Sequence, residues 1–262
     1  MFKTPEALNP DKHASLRYEP NLGYSFAAGQ TLVPILASEA AVAAREYVLL
    51  FDRDRPLLSA LLAVEEGQNA YVNDRGQWFA RYLPAYVRIY PFGLIVTPGT
   101  QPDADGRSNY TLIADVEAAQ LRDPGGTPLF DVDGRPTAVV GKVQEVLKTL
   151  EYDSQRTSYL ADQLAQAGVL AERSIVVKGR DLGLTGFRVV DRQALGQLAP
   201  DALAKLRDTG ALALAYAQLM SLANLSDGTL ARAVKGGVDG AGDRKVRELF
   251  DGDFDIDLDF MN

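Results

Sequence analysis

The hydrophobic period of this chain changes at Pro136, and that change constrains the fold more than any other feature. Before it, apolar residues come in short runs separated by turn residues. Residues 48–51 and 57–64 read as buried strands, residues 70–72 and 77–79 as a hairpin, and residues 93–97 and 110–115 as two more strands. Residues 31–35 read as a short strand, and residues 1–30 as irregular. Ser38 is expected to cap a helix running to Tyr47. Residues 83–90 are expected to form a short helix with Pro84 in its first turn.

After Pro136, Val140, Val143, Leu147 and Leu150 recur at helical spacing. Tyr159, Leu160, Leu164 and Ala167 continue the pattern to a stop at Gly168. Residues 174–178 and 184–190 read as a β-hairpin. Pro200 and Gly210 bracket a helix, and Leu212, Tyr216, Leu219 and Leu222 mark the apolar stripe of a last one. The pattern predicts an α+β protein. It has a mixed, largely antiparallel sheet in the N-terminal half, helices plus a hairpin in the C-terminal half, and an appended strand-like tail. The expected organisation is one α+β domain over residues 1–225, subdivided near residue 135, then a glycine-rich linker over 226–250 and an acidic tail over 251–262.

In that tail aspartate takes every odd position from Asp251 to Asp259, while Phe254, Ile256, Leu258 and Phe260 take even ones. An extended strand would place the apolar residues on one face and the carboxylates on the other. Such a segment is expected to dock. Burying four apolar side chains offsets only part of the entropy of ordering ten residues, so docking also needs backbone pairing with a sheet edge. Its carboxylates would stand about 7 Å apart, too far for one compact metal site.

Composition narrows the function classes. The formal charge is −8, which argues against general nucleic-acid binding; five of those charges come from the tail aspartates. With no cysteine, there are no disulfides, thiolate nucleophiles or cysteine-ligated metals. One histidine, His13, excludes histidine metal clusters, and no Gly-x-Ser-x-Gly elbow accompanies it. His13 reads as a residue that hydrogen-bonds the backbone and pins the N-terminal segment. Asp103/Asp105 and Asp131/Asp133 read as turns, and residues 236–242 as linker. No cofactor or metal is expected. The start of the chain lacks the apolar core of a signal peptide, and no apolar stretch is long enough to span a bilayer.

The densest segment runs from Gln77 to Phe92 and holds the only tryptophan. Tyr82, Tyr86 and Tyr90 would share a face if its helix began early. Core packing is one reading. The other is an aromatic and arginine patch for a peptide, sugar or acidic ligand, built from His13, Arg17, Arg81, Tyr82, Tyr86, Arg88 and Tyr90, with Glu39 as acid–base group.

Several segments in order resemble the SapC family of bacterial proteins: His13-x-x-Leu16-Arg17, Phe26-Ala27, Val33-Pro34 with Glu39, Ala43-Ala44-Arg45-Glu46-Tyr47, the run from Arg81 to Phe92, the run from Leu129 to Thr137, Gly186-Phe187-Arg188-Val189-Val190-Asp191, and the run from Tyr216 to Asn224. They cover about residues 5 to 225. The resemblance implies a connection to bacterial surface layers and supplies no active site. Permease labels attached to the shared name conflict with the lack of a span. The last 37 or so residues lie beyond the resemblance. The favoured expectation is a non-enzymatic structural or interaction subunit of a surface-layer- or virion-like assembly, with a protein partner or homo-oligomer. The alternatives are an enzyme or enzyme partner using the aromatic and arginine patch, and a secreted protein with an uncleaved C-terminal export signal. The compartment stays open between cytoplasm and a surface or extracellular assembly.

Overall fold

Val48-Leu49-Leu50-Phe51 contains no polar residue, and all four are buried. That run is the middle strand of a five-stranded antiparallel sheet covered on both faces. The structure, a computed structural model, describes residues 1–234 except 66, 98, 102–107, 123, 124, 178 and 179. The expected turn at Asp103/Asp105, the glycine-rich residues 236–242 and the alternating tail lie outside the described residues.

In chain order the elements are β1 (Pro5–Ala7), α1 (Pro10–His13), β2 (Arg17–Tyr18), β3 (Leu32–Pro34), α2 (Ala40–Ala43), β4 (Val48–Asp52), β5 (Leu58–Leu61), α3 (Ala85–Arg88), β6 (Phe92–Val96), β7 (Tyr110–Asp115), β8 (Thr127–Pro128), α4 (Ala138–Gln166), β9 (Leu170–Glu172), β10 (Val176–Val177), β11 (Arg180–Asp181), β12 (Phe187–Val190), α5 (Arg192–Gly196), α6 (Pro200–Thr209), α7 (Ala211–Ser221) and α8 (Thr229–Ala233). The main sheet has the order β3-β5-β4-β12-β9, and a three-stranded sheet has the order β1-β7-β6. All the strand pairs are antiparallel, so the α+β class holds. No helix among the described residues is long and apolar enough to cross a membrane.

Two strands of the main sheet come from the helix-rich half. Residues 174–178 and 184–190 do not pair with each other as a hairpin. β12 instead pairs with β4 and β9, and β10 closes a small turn with β11. The partner β4 lies over 130 residues away in sequence, which a local pattern cannot reveal. Residues 1–30 are likewise more regular than expected, because β1 pairs with β7, with Pro5 opposite Asp115.

Helix α4 is one continuous element of 29 residues, about 43 Å long. Its first half buries Val140, Val143 and Leu147 in a small core with Phe92, Ala114, Leu121 and Leu129. Its second half buries Leu160, Ala161 and Leu164 in the main core. Tyr159, expected on the apolar stripe, is exposed. Between the two apolar runs the buried positions are Asp153 and Thr157. They meet the turn before α2: Thr157 Oγ1 accepts from Ala37 N–H at 2.7 Å, and the Asp153 carboxylate accepts from the Ser38 N–H and hydroxyl. The apolar pattern breaks there because the turn has donors that need acceptors. This also corrects the expected role of Ser38. Its hydroxyl holds α4, and α2 is a single turn with Glu39 at its N-cap position.

Helix α7 packs on β4 and β12. It buries Ala211, Leu214, Ala215, Gln218, Ser221 and Leu222, whereas Tyr216 is exposed and Leu212 and Leu219 are only half-buried. The stripe that faces the core is therefore not the one expected. Continuing the register Phe187↔Asp52 and Arg188↔Phe51 places Val190 opposite Leu49. The Gln218 amide stands between them. Val190 N–H donates to Gln218 Oε1 at 2.9 Å, and Gln218 Nε2 donates to Leu49 C=O at 3.0 Å. Leu49 N–H donates to Ser221 Oγ at 2.9 Å, and Asn224 Nδ2 donates to the carbonyls of Ala44 and Tyr47. After a 3-10 turn over Leu222–Leu225, α8 buries Leu230 and Ala231, and Val234 is buried beyond it.

Candidate functional site

The segment from Gln77 to Phe92 begins in a hairpin whose turn is organised by Asn73. Its Oδ1 accepts from the N–H groups of Arg75 and Gln77, both at 3.0 Å, and Gly76 takes φ 72°. The hairpin sends Trp78 inward. Trp78 Nε1 donates to the Tyr47 hydroxyl at 3.0 Å, and the Tyr47 hydroxyl donates to Tyr82 C=O. The fully buried Tyr71 stacks on Trp78 and donates to Glu46 C=O at 2.9 Å. Burial pushes both the Tyr47 and Tyr71 phenols well up, so they remain neutral donors.

Helix α3 starts only at Ala85, so the three tyrosines do not line one face. Tyr82 faces Glu39 and Arg88, Tyr86 faces Ser154 of α4, and Tyr90 donates to Asp115 Oδ2 at 2.8 Å. Tyr90 is buried and stacks on Phe26. Burial, then the Glu39 charge, pushes the Tyr82 phenol up to about 12. Asp115 is fully buried and also accepts from the N–H groups of Lys3 and Thr4 at 2.8 and 3.0 Å. Burial raises its carboxyl, but these donors outweigh burial and hold it below the ordinary range.

Glu39 is buried, and its two oxygens accept from Ala85 N–H at 3.2 Å and Leu36 N–H at 3.4 Å. Burial raises its pKa, against these hydrogen bonds and the Arg88 charge. The cluster ties the turn before α2 to α3. A raised folded value means that Glu39 contributes stability below the unfolded value of about 4.3, and that this is lost as pH rises through the folded value. Glu39→Gln removes that loss. Its stability relative to the natural chain is expected to rise with pH from about 4 and then level off, as read from urea midpoints across pH; a gap independent of pH is the opposing result.

The other expected site residues lie elsewhere. His13 is buried; its Nδ1 accepts from Asn9 N–H at 3.1 Å, and its Nε2 stands 3.4 Å from Glu6 Oε2. Arg17 Nε donates to Gly126 C=O at 2.8 Å. Arg81 is exposed, with Glu46 Oε1 at 3.8 Å, and lines a groove of about 710 Å³ with Arg45, Glu46, Phe79, Asp227 and Arg232. His13, Arg17 and Arg88 do not line it. A neighbouring recess of about 580 Å³ shares Ala70 and Ala233 with the groove. Three arginines against two carboxylates make the groove locally basic on an acidic chain. Arg45 and Arg232 were not singled out from the sequence. The signal for Arg45 was its place beside Glu46 after α2; Arg232 arrives only because α8 folds back.

Fold and groove thus define an α+β protein with antiparallel sheets and a basic surface groove beside its last helix. A family model described as SapC matches residues 8–227, so the chain belongs to the SapC family. Comparison with curated proteins and with solved structures gives no match.

Proposed function

We propose that the chain is a non-enzymatic interaction subunit of a larger assembly, of the surface-layer or virion kind, whose C-terminal tail docks on a sheet edge. The observation that supports this is the outer face of α7. No charged residue occurs from Ala211 to Leu225, yet Ala213, Tyr216, Met220 and Ala223 are exposed, flanked by half-buried Leu212 and Leu219. The polar residues of this helix are turned inward, and a solvent-facing apolar stripe marks a contact surface. The occupant we assign is a second copy of the chain. The expected light-scattering mass of the full chain exceeds the monomer's 28.4 kDa. It returns to the monomer value in Tyr216→Glu/Met220→Glu, whose stability should change by less than about 0.5 kcal/mol because both sites are exposed. A natural chain that is monomeric at high concentration sinks the assembly reading.

The groove favours a second reading, in which Arg81 with Arg45 and Arg232 takes an acidic ligand. Guanidinium forks suit carboxylates, and the volume is that of a ligand site.

A further inference from the structure

We infer that the basic groove, together with the free edge of the hairpin beside it, binds the chain's own acidic tail, residues 251–260, in cis. This rests on the reading that the tail docks on a sheet edge, and names the edge.

Four observations converge. The first is an available edge. Val72 bridges Trp78, with Phe79 N–H donating to Tyr71 C=O at 3.2 Å and Asn73 N–H to Gln77 C=O at 3.1 Å. In an antiparallel pair the bonding direction alternates, so the N–H and C=O groups of Trp78 point away from Tyr71–Asn73. No partner takes them among the described residues. The second is the match of faces. Phe79 and Arg81 lie on the groove side of this edge, while Trp78 and Ala80 pack against the main core. A period-two strand paired here sets one series of side chains on each side. The tail's aspartates then align with Arg81, and Phe254, Ile256, Leu258 and Phe260 continue the apolar side of Trp78 and Ala80.

The third is charge. Arg81 has only the 3.8 Å contact to Glu46, and Arg45 has no side-chain partner among the described residues. Five aspartates with no basic residue among them from Asp251 to Phe260 supply the complement. The fourth is position. The described chain ends at Val234, next to Ala233 in the groove wall. The 16 residues 235–250 have a contour length of up to about 53–58 Å, enough to return to the groove.

Hydrogen–deuterium exchange on the full chain tests this. Amides of residues 251–260 are expected to exchange at least tenfold more slowly than in the same sequence as a free peptide. Arg45→Glu/Arg81→Glu, with an unchanged melting temperature, is expected to abolish that protection, and so is high salt. Protection that survives the double charge reversal places the tail on another edge; the groove assignment falls and the docking reading stands. Protection only at concentrations where the chain self-associates places the tail on a second copy and overturns docking in cis. No protection in the natural chain overturns both.

Discussion

Gln218→Leu lowers stability by about 2–5 kcal/mol and the melting temperature by roughly 5–20 °C. The side chain is fully buried, and its amide satisfies Val190 N–H and Leu49 C=O together. Leucine fits the space but leaves both backbone groups unpaired in the interior, at about 1–3 kcal/mol each. The strands cannot simply close, because Leu49 N–H is already held by Ser221 Oγ. Urea unfolding reads the loss as a lower midpoint at constant slope. A loss below about 0.5 kcal/mol means that β4 and β12 zip together without the wedge. Gln218→Glu separates hydrogen bonding from shape. A protonated carboxyl can still accept from Val190 and donate to Leu49, whereas the ionised form cannot donate. Its folded pKa is therefore expected above the unfolded value, so the variant is most stable in acid and weakens as pH rises.

Asp115→Ala is expected to cost about 3–5 kcal/mol and to free the N-terminus. The carboxylate gathers Lys3 N–H, Thr4 N–H and the Tyr90 hydroxyl at one fully buried point, and hydrogen bonds to a charged acceptor contribute about 1.5–3 kcal/mol each. Release of residues 1–8 into water recovers part of the loss, so the total stays below the sum. The expected readout is faster amide exchange in β1 and on the edge of β7 it covers, with the main sheet unchanged. The pH dependence has a sign. A carboxyl held low contributes stability above its unfolded value near 3.9 and loses it as pH falls through the folded value. The gap between natural chain and variant therefore narrows in acid. A gap that widens in acid contradicts the assigned role.

Much of the fold was legible locally. β4, β6, β7, α4 and α6 lie where the periods, Pro200 and Gly210 put them, because period and capping depend only on near neighbours. The errors share a cause. The pairing of β12 with β4, of β1 with β7, and the grip of Asp153 and Thr157 on the turn before α2 all join residues more than 100 positions apart. Of the candidate site, Arg81 was legible as an arginine within an aromatic run. Tyr90 is a core residue, Tyr82 and Tyr86 face separate elements, and His13 caps its own segment.

Helix α7, with the turn that follows it, shows where the boundary falls. Its length, its lack of charge and the three polar residues Gln218, Ser221 and Asn224 at a spacing of three are written in the sequence. They determined a helix with one polar stripe. Such a stripe ordinarily faces water. Only the tertiary structure decided that it faces inward, because β4 and β12 diverge there and leave backbone groups that need partners. Satisfying them favours burying amides and a hydroxyl and leaves Tyr216 and Met220 outside. Local sequence specifies which faces a helix has; the unpaired groups of its neighbours select which face is buried.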